Sequence, residues 1–156
     1  MDPSQMTLAA VSRELKAGDL QATEVVESIA QAARNRDKDV GGYLSMDVEA
    51  ALTLAKKADP SLPLGGIPIA IMDVISVAGQ PCSCASKMLE GYIAPYDAAV
   101  IERLKAAGGI PLGRTNMDEF AMGSSTENSG LQKTVNPWDH SLKDTAISGL
   151  FLGAGC

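Results

Sequence analysis

The stretch Ala98-Ala99-Val100-Ile101-Glu102-Arg103-Leu104-Lys105-Ala106-Ala107-Gly108-Gly109-Ile110-Pro111-Leu112-Gly113 reads as a helix followed by a strand. Val100, Ile101 and Leu104 recur at helical spacing, with Glu102, Arg103 and Lys105 on the opposite side. Gly108-Gly109 stops the helix, and Ile110 to Gly113 returns as a short apolar strand. Upstream, Gly66 to Val77 is a nearly unbroken apolar run rich in β-branched residues, which predicts a buried strand. Strand, helix, strand in that order predicts an α/β layer with at least one parallel pair.

Working outward, Leu8, Val11 and Leu15 predict a short amphipathic helix that ends at Gly18. Thr23 is the expected cap of a second helix, with Val25, Val26, Ile29, Ala30 and Ala33 on one side. Tyr43 to Met46 is strand-like, and Asp47 to Ala58 returns to helical spacing before Asp59-Pro60-Ser61-Leu62-Pro63 ends it. The expectation is a single domain over 1–156. It comprises helices over about 5–58, an α/β core over about 64–139, and an apolar tail over 140–156.

A length of 156 residues suits one domain. Hydrophobic residues at 46% and charged residues at 21% exclude intrinsic disorder. An aromatic share of 4% argues against a sugar-binding or base-stacking surface. The net charge of -6 disfavours direct nucleic-acid binding. Cys82, Cys84 and Cys156 are an odd number, which suits a reducing, cytoplasmic setting. The N-terminus lacks a secretory pattern, and no run approaches the roughly 20 apolar residues of a membrane span.

Gly66-Ile67-Pro68-Ile69-Ala70-Ile71-Met72-Asp73, Cys84-Ala85-Ser86-Lys87-Met88-Leu89-Glu90-Gly91-Tyr92 and Tyr96-Asp97-Ala98 resemble the amidase signature family. Val100 to Gly108, Gly113 to Ser129 and Asn136-Pro137-Trp138-Asp139 narrow the resemblance to its glutamyl-tRNA(Gln) amidotransferase branch. The resemblance implies the N-terminal part of the amidase signature fold, an α/β structure with a small mixed sheet and packed helices. It also implies glutamine hydrolysis by a serine nucleophile, a bridging serine and a lysine. In that branch, the ammonia passes onward through other amidotransferase subunits.

The triad is where this sequence departs. The family's Ile-Lys-Asp motif reads Ile71-Met72-Asp73 here, so Met72 occupies the lysine position. A thioether cannot serve as a general base. After Asp139 the family's loop of glycines and serines is replaced by Leu142-Lys143-Asp144-Thr145-Ala146-Ile147-Ser148-Gly149-Leu150. No counterpart of the nucleophilic serine precedes Cys156. The expectation is therefore a catalytically incomplete protein with no catalytic residue, acting as a self-associating (homo-oligomeric) or partner-binding module. The alternative is a glutamine or amide hydrolase, acting alone or when complemented.

The resemblance places Gly123, Ser124, Ser125 and Thr126 on one wall of a substrate site. The competing reading is a polar turn whose hydroxyls bond their own backbone. Asp73 is expected to accept from backbone amides, and Met72 to fill core or interface space. Cys82-Ser83-Cys84 with His140 lacks the spacing of a zinc site, so no metal and no cofactor are expected.

Overall fold

The structure, a computed structural model, describes residues 2–137. The expectations for Trp138, Asp139, His140 and the 140–156 tail lie outside the described residues. In chain order the elements are α1 (Leu8–Ala17), α2 (Ala22–Val40), β1 (Tyr43–Met46), α3 (Val48–Ala55), β2 (Pro68–Met72), α4 (Ala99–Ala106) and β3 (Ile110–Thr115). Single 3-10 turns form at Pro3–Gln5, Lys87–Leu89 and Glu119–Ala121.

Helices α1 and α3 begin where a side chain satisfies an otherwise orphaned N–H. Thr7 Oγ1 accepts from the Ala10 N–H at 3.3 Å ahead of α1. Asp47 Oδ1 accepts from the Ala50 N–H at 2.9 Å ahead of α3. The expected Thr23 cap is corrected, because α2 starts one residue earlier and Thr23 lies inside it. Glu24 reaches back instead, its carboxylate accepting from the Gln21 N–H at 2.8 Å, which is half of a capping box. Gly18 closes α1 at φ 81°, a left-handed conformation that a side chain would strain.

The three strands lie in the order β1-β3-β2. The Ile110 N–H donates to the Ile67 carbonyl at 2.8 Å, and the Asp73 N–H to the Thr115 carbonyl at 3.3 Å. The two ladders advance together, so β2 and β3 are the expected parallel pair, with α4 in the crossover. The Asn116 N–H donates to the Gly42 carbonyl at 2.8 Å, which sets the start of β1 beside the end of β3 and makes that pair antiparallel. The sheet is therefore mixed, as the resemblance implies.

The expected buried strand over Gly66 to Val77 is corrected. β2 stops at Met72, and only Ile71 within it is fully buried. The central strand β3 is instead buried at all six positions. A chain flanked on both edges loses its solvent contact, whereas an edge strand of equal hydrophobicity keeps some. The turn after Met72 follows from Asp73, whose carboxylate draws the chain into a loop described below.

The residues group into two compact units. The first comprises residues up to 35, 46–69 and 99–113. Its core is Val11, Leu15, Ala22, Val25, Val26, Ala51, Ala55, Ile67, Ile110 and Leu112, an aliphatic cluster as the low aromatic share predicts. Within it the Gly66 N–H donates to the Gly108 carbonyl at 3.1 Å. Gly108 sits at φ 88°, and a Cβ there would lie 2.8 Å from the Gly65 Cα. The second unit comprises, among the described residues, 36–45, 70–98 and 114–137. Beside buried apolar residues such as Ile71, Val77, Ala85, Ala94 and Met117, its interior holds many buried polar ones, among them Asp73, Ser83, Ser86, Arg114, Thr115, Asn116, Asp118, Thr126, Thr134 and Asn136. Among the described residues no helix is long and apolar enough to cross a membrane.

Candidate functional site

Two buried carboxylates organise the second unit. Asp73 is 1% exposed. Its Oδ2 accepts from the Ser83 N–H at 3.0 Å, the Ala85 N–H at 3.1 Å and the Ser83 hydroxyl. Asp73 thus bonds backbone amides as expected, while its Oδ1 faces Arg114 Nε at 3.4 Å. Arg114, near the end of β3, is also 1% exposed. Its Nη2 donates to the Ile75 carbonyl at 2.6 Å and the Met72 carbonyl at 3.3 Å. A charged residue at the end of an apolar strand was the available sign, since a buried cation needs a partner.

Met72 is half-buried at the end of β2. The main chain at the resemblance's lysine position is thus held in place by Arg114 through the Met72 carbonyl. The side chain there carries no titratable group.

Asp118 is the second anchor. Its Oδ2 accepts from the N–H groups of Ser125 and Thr126, and its Oδ1 from that of Asn128, each at 2.9 Å. Burial alone would push the Asp118 carboxyl up, but the backbone N–H groups of Thr126, Asn128 and Ser125 outweigh it and hold the group below its ordinary range. Phe120, Ala121 and Thr126 adopt positive φ at 54°, 60° and 63°. Non-glycine residues hold that conformation only where surrounding bonds enforce it.

Of the residues placed on the substrate wall, Thr126 is fully buried, and its hydroxyl donates to the Ser125 carbonyl at 2.6 Å. The Ser125 hydroxyl donates to the Glu127 carboxylate at 2.9 Å. Ser124 is exposed. A Cβ on Gly123 would stand 2.6 Å from Asp118 Cγ and Oδ2, so only glycine lets the loop close over that carboxylate. Gly123→Ala is expected to lower stability by about 1–3 kcal/mol, as overpacking does, read as a lower urea midpoint at unchanged m-value.

Cys82 is buried, and its thiol donates to the Asp73 carbonyl at 3.3 Å. Burial pushes the Cys84 thiol up, with Cys82 and Asp73 adding to the shift and Arg114 partly opposing it. Cys84 is therefore a protonated thiol at neutral pH and a poor nucleophile. Among the described residues no group of three His, Cys, Asp or Glu side chains gathers as a metal site.

These loops hang on a fold that defines a family. The amidase family profile matches residues 24–149, and the chain belongs to that family. The glutamyl-tRNA(Gln) amidotransferase A subunit of Methylacidiphilum infernorum is 53% identical over 135 residues, covering 86% of this chain and 27% of the relative. The solved A subunit of the Thermotoga maritima glutamyl-tRNA(Gln) amidotransferase superposes with a TM-score of 0.71 at 30% identity, over 89% of this chain and 29% of that one. A 6-aminohexanoate cyclic dimer hydrolase superposes with a TM-score of 0.80 at 25% identity, over the same two shares. The chain spans less than a third of the length of these relatives, and its match lies with the N-terminal portion of the amidotransferase proteins.

Proposed function

We propose that this chain is a protein-binding amidase-family module that does not hydrolyse amides. The observation that carries the reading is Met72, a thioether where the resemblance puts the family's base. The loop hydroxyls of Ser125 and Thr126 support it, because both donate within the loop. Lysine assistance needs a side chain that can lose and regain a proton near neutrality, and Met72 offers none. Incubation with glutamine or asparagine is expected to release no ammonia above the buffer rate. Met72→Lys is expected to leave that result unchanged, because triad members act as a unit. Sustained turnover by the unmodified chain would sink the proposal.

A second reading is glutamine hydrolysis on complementation, as one part of an amidotransferase with other subunits. It is favoured by the 53% identity to a glutamyl-tRNA(Gln) amidotransferase protein. Ammonia release that appears only on adding such an amidotransferase protein, shortened by the matched N-terminal portion, would select it over the first.

A further inference from the structure

We propose that Cys82 and Cys84 form a reversible dithiol–disulfide pair, oxidised by low-molecular-weight disulfides, whose closure loosens the 118–130 loop. All of these residues belong to the second unit. Cys82 is buried and Cys84 is partly exposed. Two residues apart in the chain, their Cα atoms stand at most about 7 Å apart, against the roughly 4.4–6.8 Å that a disulfide bridges. Both residues also converge on one oxygen. The Cys82 thiol donates to the Asp73 carbonyl at 3.3 Å, and the Cys84 N–H donates to that same carbonyl at 3.3 Å. The Cys84 thiol is in hydrogen-bond contact with the Cys82 side chain. Neither thiol takes part in the Asp73–Arg114 ion pair beside them.

Thiol–disulfide exchange with glutathione disulfide carries the oxidation. The Cys84 sulfur, the more accessible of the two, attacks one glutathione sulfur. A bond forms between them, the glutathione S–S bond breaks, and one glutathione leaves with the Cys84 proton. The Cys82 sulfur then attacks the Cys84 sulfur, the mixed disulfide breaks, and the second glutathione leaves with the Cys82 proton. The two cysteines have given up two electrons and two protons, and one glutathione disulfide has become two glutathiones. Burial keeps the Cys84 thiol protonated at neutrality, so the first step is slow. Closure therefore follows sustained oxidising conditions rather than brief exposure.

Backbone bonds connect the pair to the 118–130 loop. The Ser86 N–H donates to the Ser83 carbonyl at 3.0 Å, closing a turn whose central residues, Cys84 and Ala85, are both left-handed at φ 53° and 51°. Neither is glycine, so the turn persists only through the bonds around it. Two of those bonds come from the loop. The Phe120 N–H donates to the Cys84 carbonyl at 3.0 Å, and the Gly130 N–H to the Ala85 carbonyl at 2.8 Å. Closure draws the two sulfurs from hydrogen-bond contact to covalent distance and removes the proton that Cys82 donates to Asp73. Cys84 moves toward Cys82, and the carbonyl that receives the Phe120 N–H moves with it. A local redox change is thereby passed to a loop distant in sequence.

Peptide mass mapping of the full chain after incubation with glutathione disulfide tests this. Trypsin cuts after Lys57 and Lys87, so Cys82 and Cys84 share one peptide while Cys156 falls on another. The 58–87 peptide is expected to become lighter by two hydrogens, and dithiothreitol is expected to restore its mass. Limited proteolysis of the oxidised chain is expected to cut within 118–130 about threefold faster than that of the reduced chain. Cys82→Ser should stop at the mixed disulfide, with glutathione retained on the 58–87 peptide. An unchanged mass in the unmodified chain overturns the proposal. So does glutathione retained there, because Cys82 then fails to reach Cys84. A disulfide to the Cys156 peptide or to a second chain overturns it as well, as does closure that leaves cleavage within 118–130 at the reduced rate.

Discussion

Asp73→Ala lowers the stability of the fold by about 3–5 kcal/mol, the loss expected when one partner of a buried ion pair is removed. The substitution leaves Arg114 Nε without its carboxylate inside the second unit, and it strips the Ser83 and Ala85 N–H groups of their acceptor. A small domain has only about 5–15 kcal/mol in total, so the variant sits near the edge of folding at room temperature. Urea denaturation followed by circular dichroism reads the effect. Arg114→Met is the comparison. It also removes a partner, but Asp73 keeps its two N–H donors and the Ser83 hydroxyl, so its loss should be smaller. The double variant should be more stable than the sum of the two losses predicts, because each single change leaves the other group unsatisfied. Strict additivity would show that Asp73 and Arg114 are merely neighbours.

Asp118→Ala comes next, with an expected loss of about 2–4 kcal/mol for three backbone donors deprived of a charged acceptor. The loop from Ser125 to Asn128 then has no centre, and the left-handed conformation of Thr126 has nothing to enforce it. Proteolysis should accordingly cut first within 118–130. The pH dependence has a fixed sign. The folded-state carboxyl of Asp118 lies below its ordinary range, so its stabilisation is complete above the unfolded value of about 3.9 and is lost as pH falls through the folded value. Asp118→Asn keeps the shape without the charge. It should flatten the acid side of the stability profile below about pH 4, while leaving the neutral-to-alkaline side parallel to that of the unmodified chain.

The elements most legible in the sequence are those governed by periodicity and caps. Val100, Ile101 and Leu104 announced α4, Gly18 announced the end of α1, and the strand-helix-strand order announced the parallel pair. Thr23 misled because a threonine one residue inside a helix looks the same as one at its boundary. The decisive contact came from the Glu24 carboxylate. Gly66 to Val77 misled because an apolar run shows that a segment can be buried, not where its strand stops.

Candidate site residues were less legible for a related reason. Gly123 to Thr126 could be picked out as polar and small, but their roles depend on Asp118 several residues earlier. Asp73 was expected to meet backbone amides and does, yet Arg114 stands 41 residues away in the chain. Nothing local links the two.

The amino-acid sequence by itself determined the α/β class, the helices, the parallel pair and the family, because periodicity, turn chemistry and motif order act over short stretches of chain. It also determined the methionine at the lysine position, a matter of residue identity alone. Only the tertiary structure decided that β3 rather than β2 is the buried strand, since burial depends on having neighbours on both edges. It also decided that Asp73 is paired with Arg114 and that the 118–128 loop closes on its own carboxylate. Those contacts form only when distant segments meet in a setting where an unpartnered charge is costly.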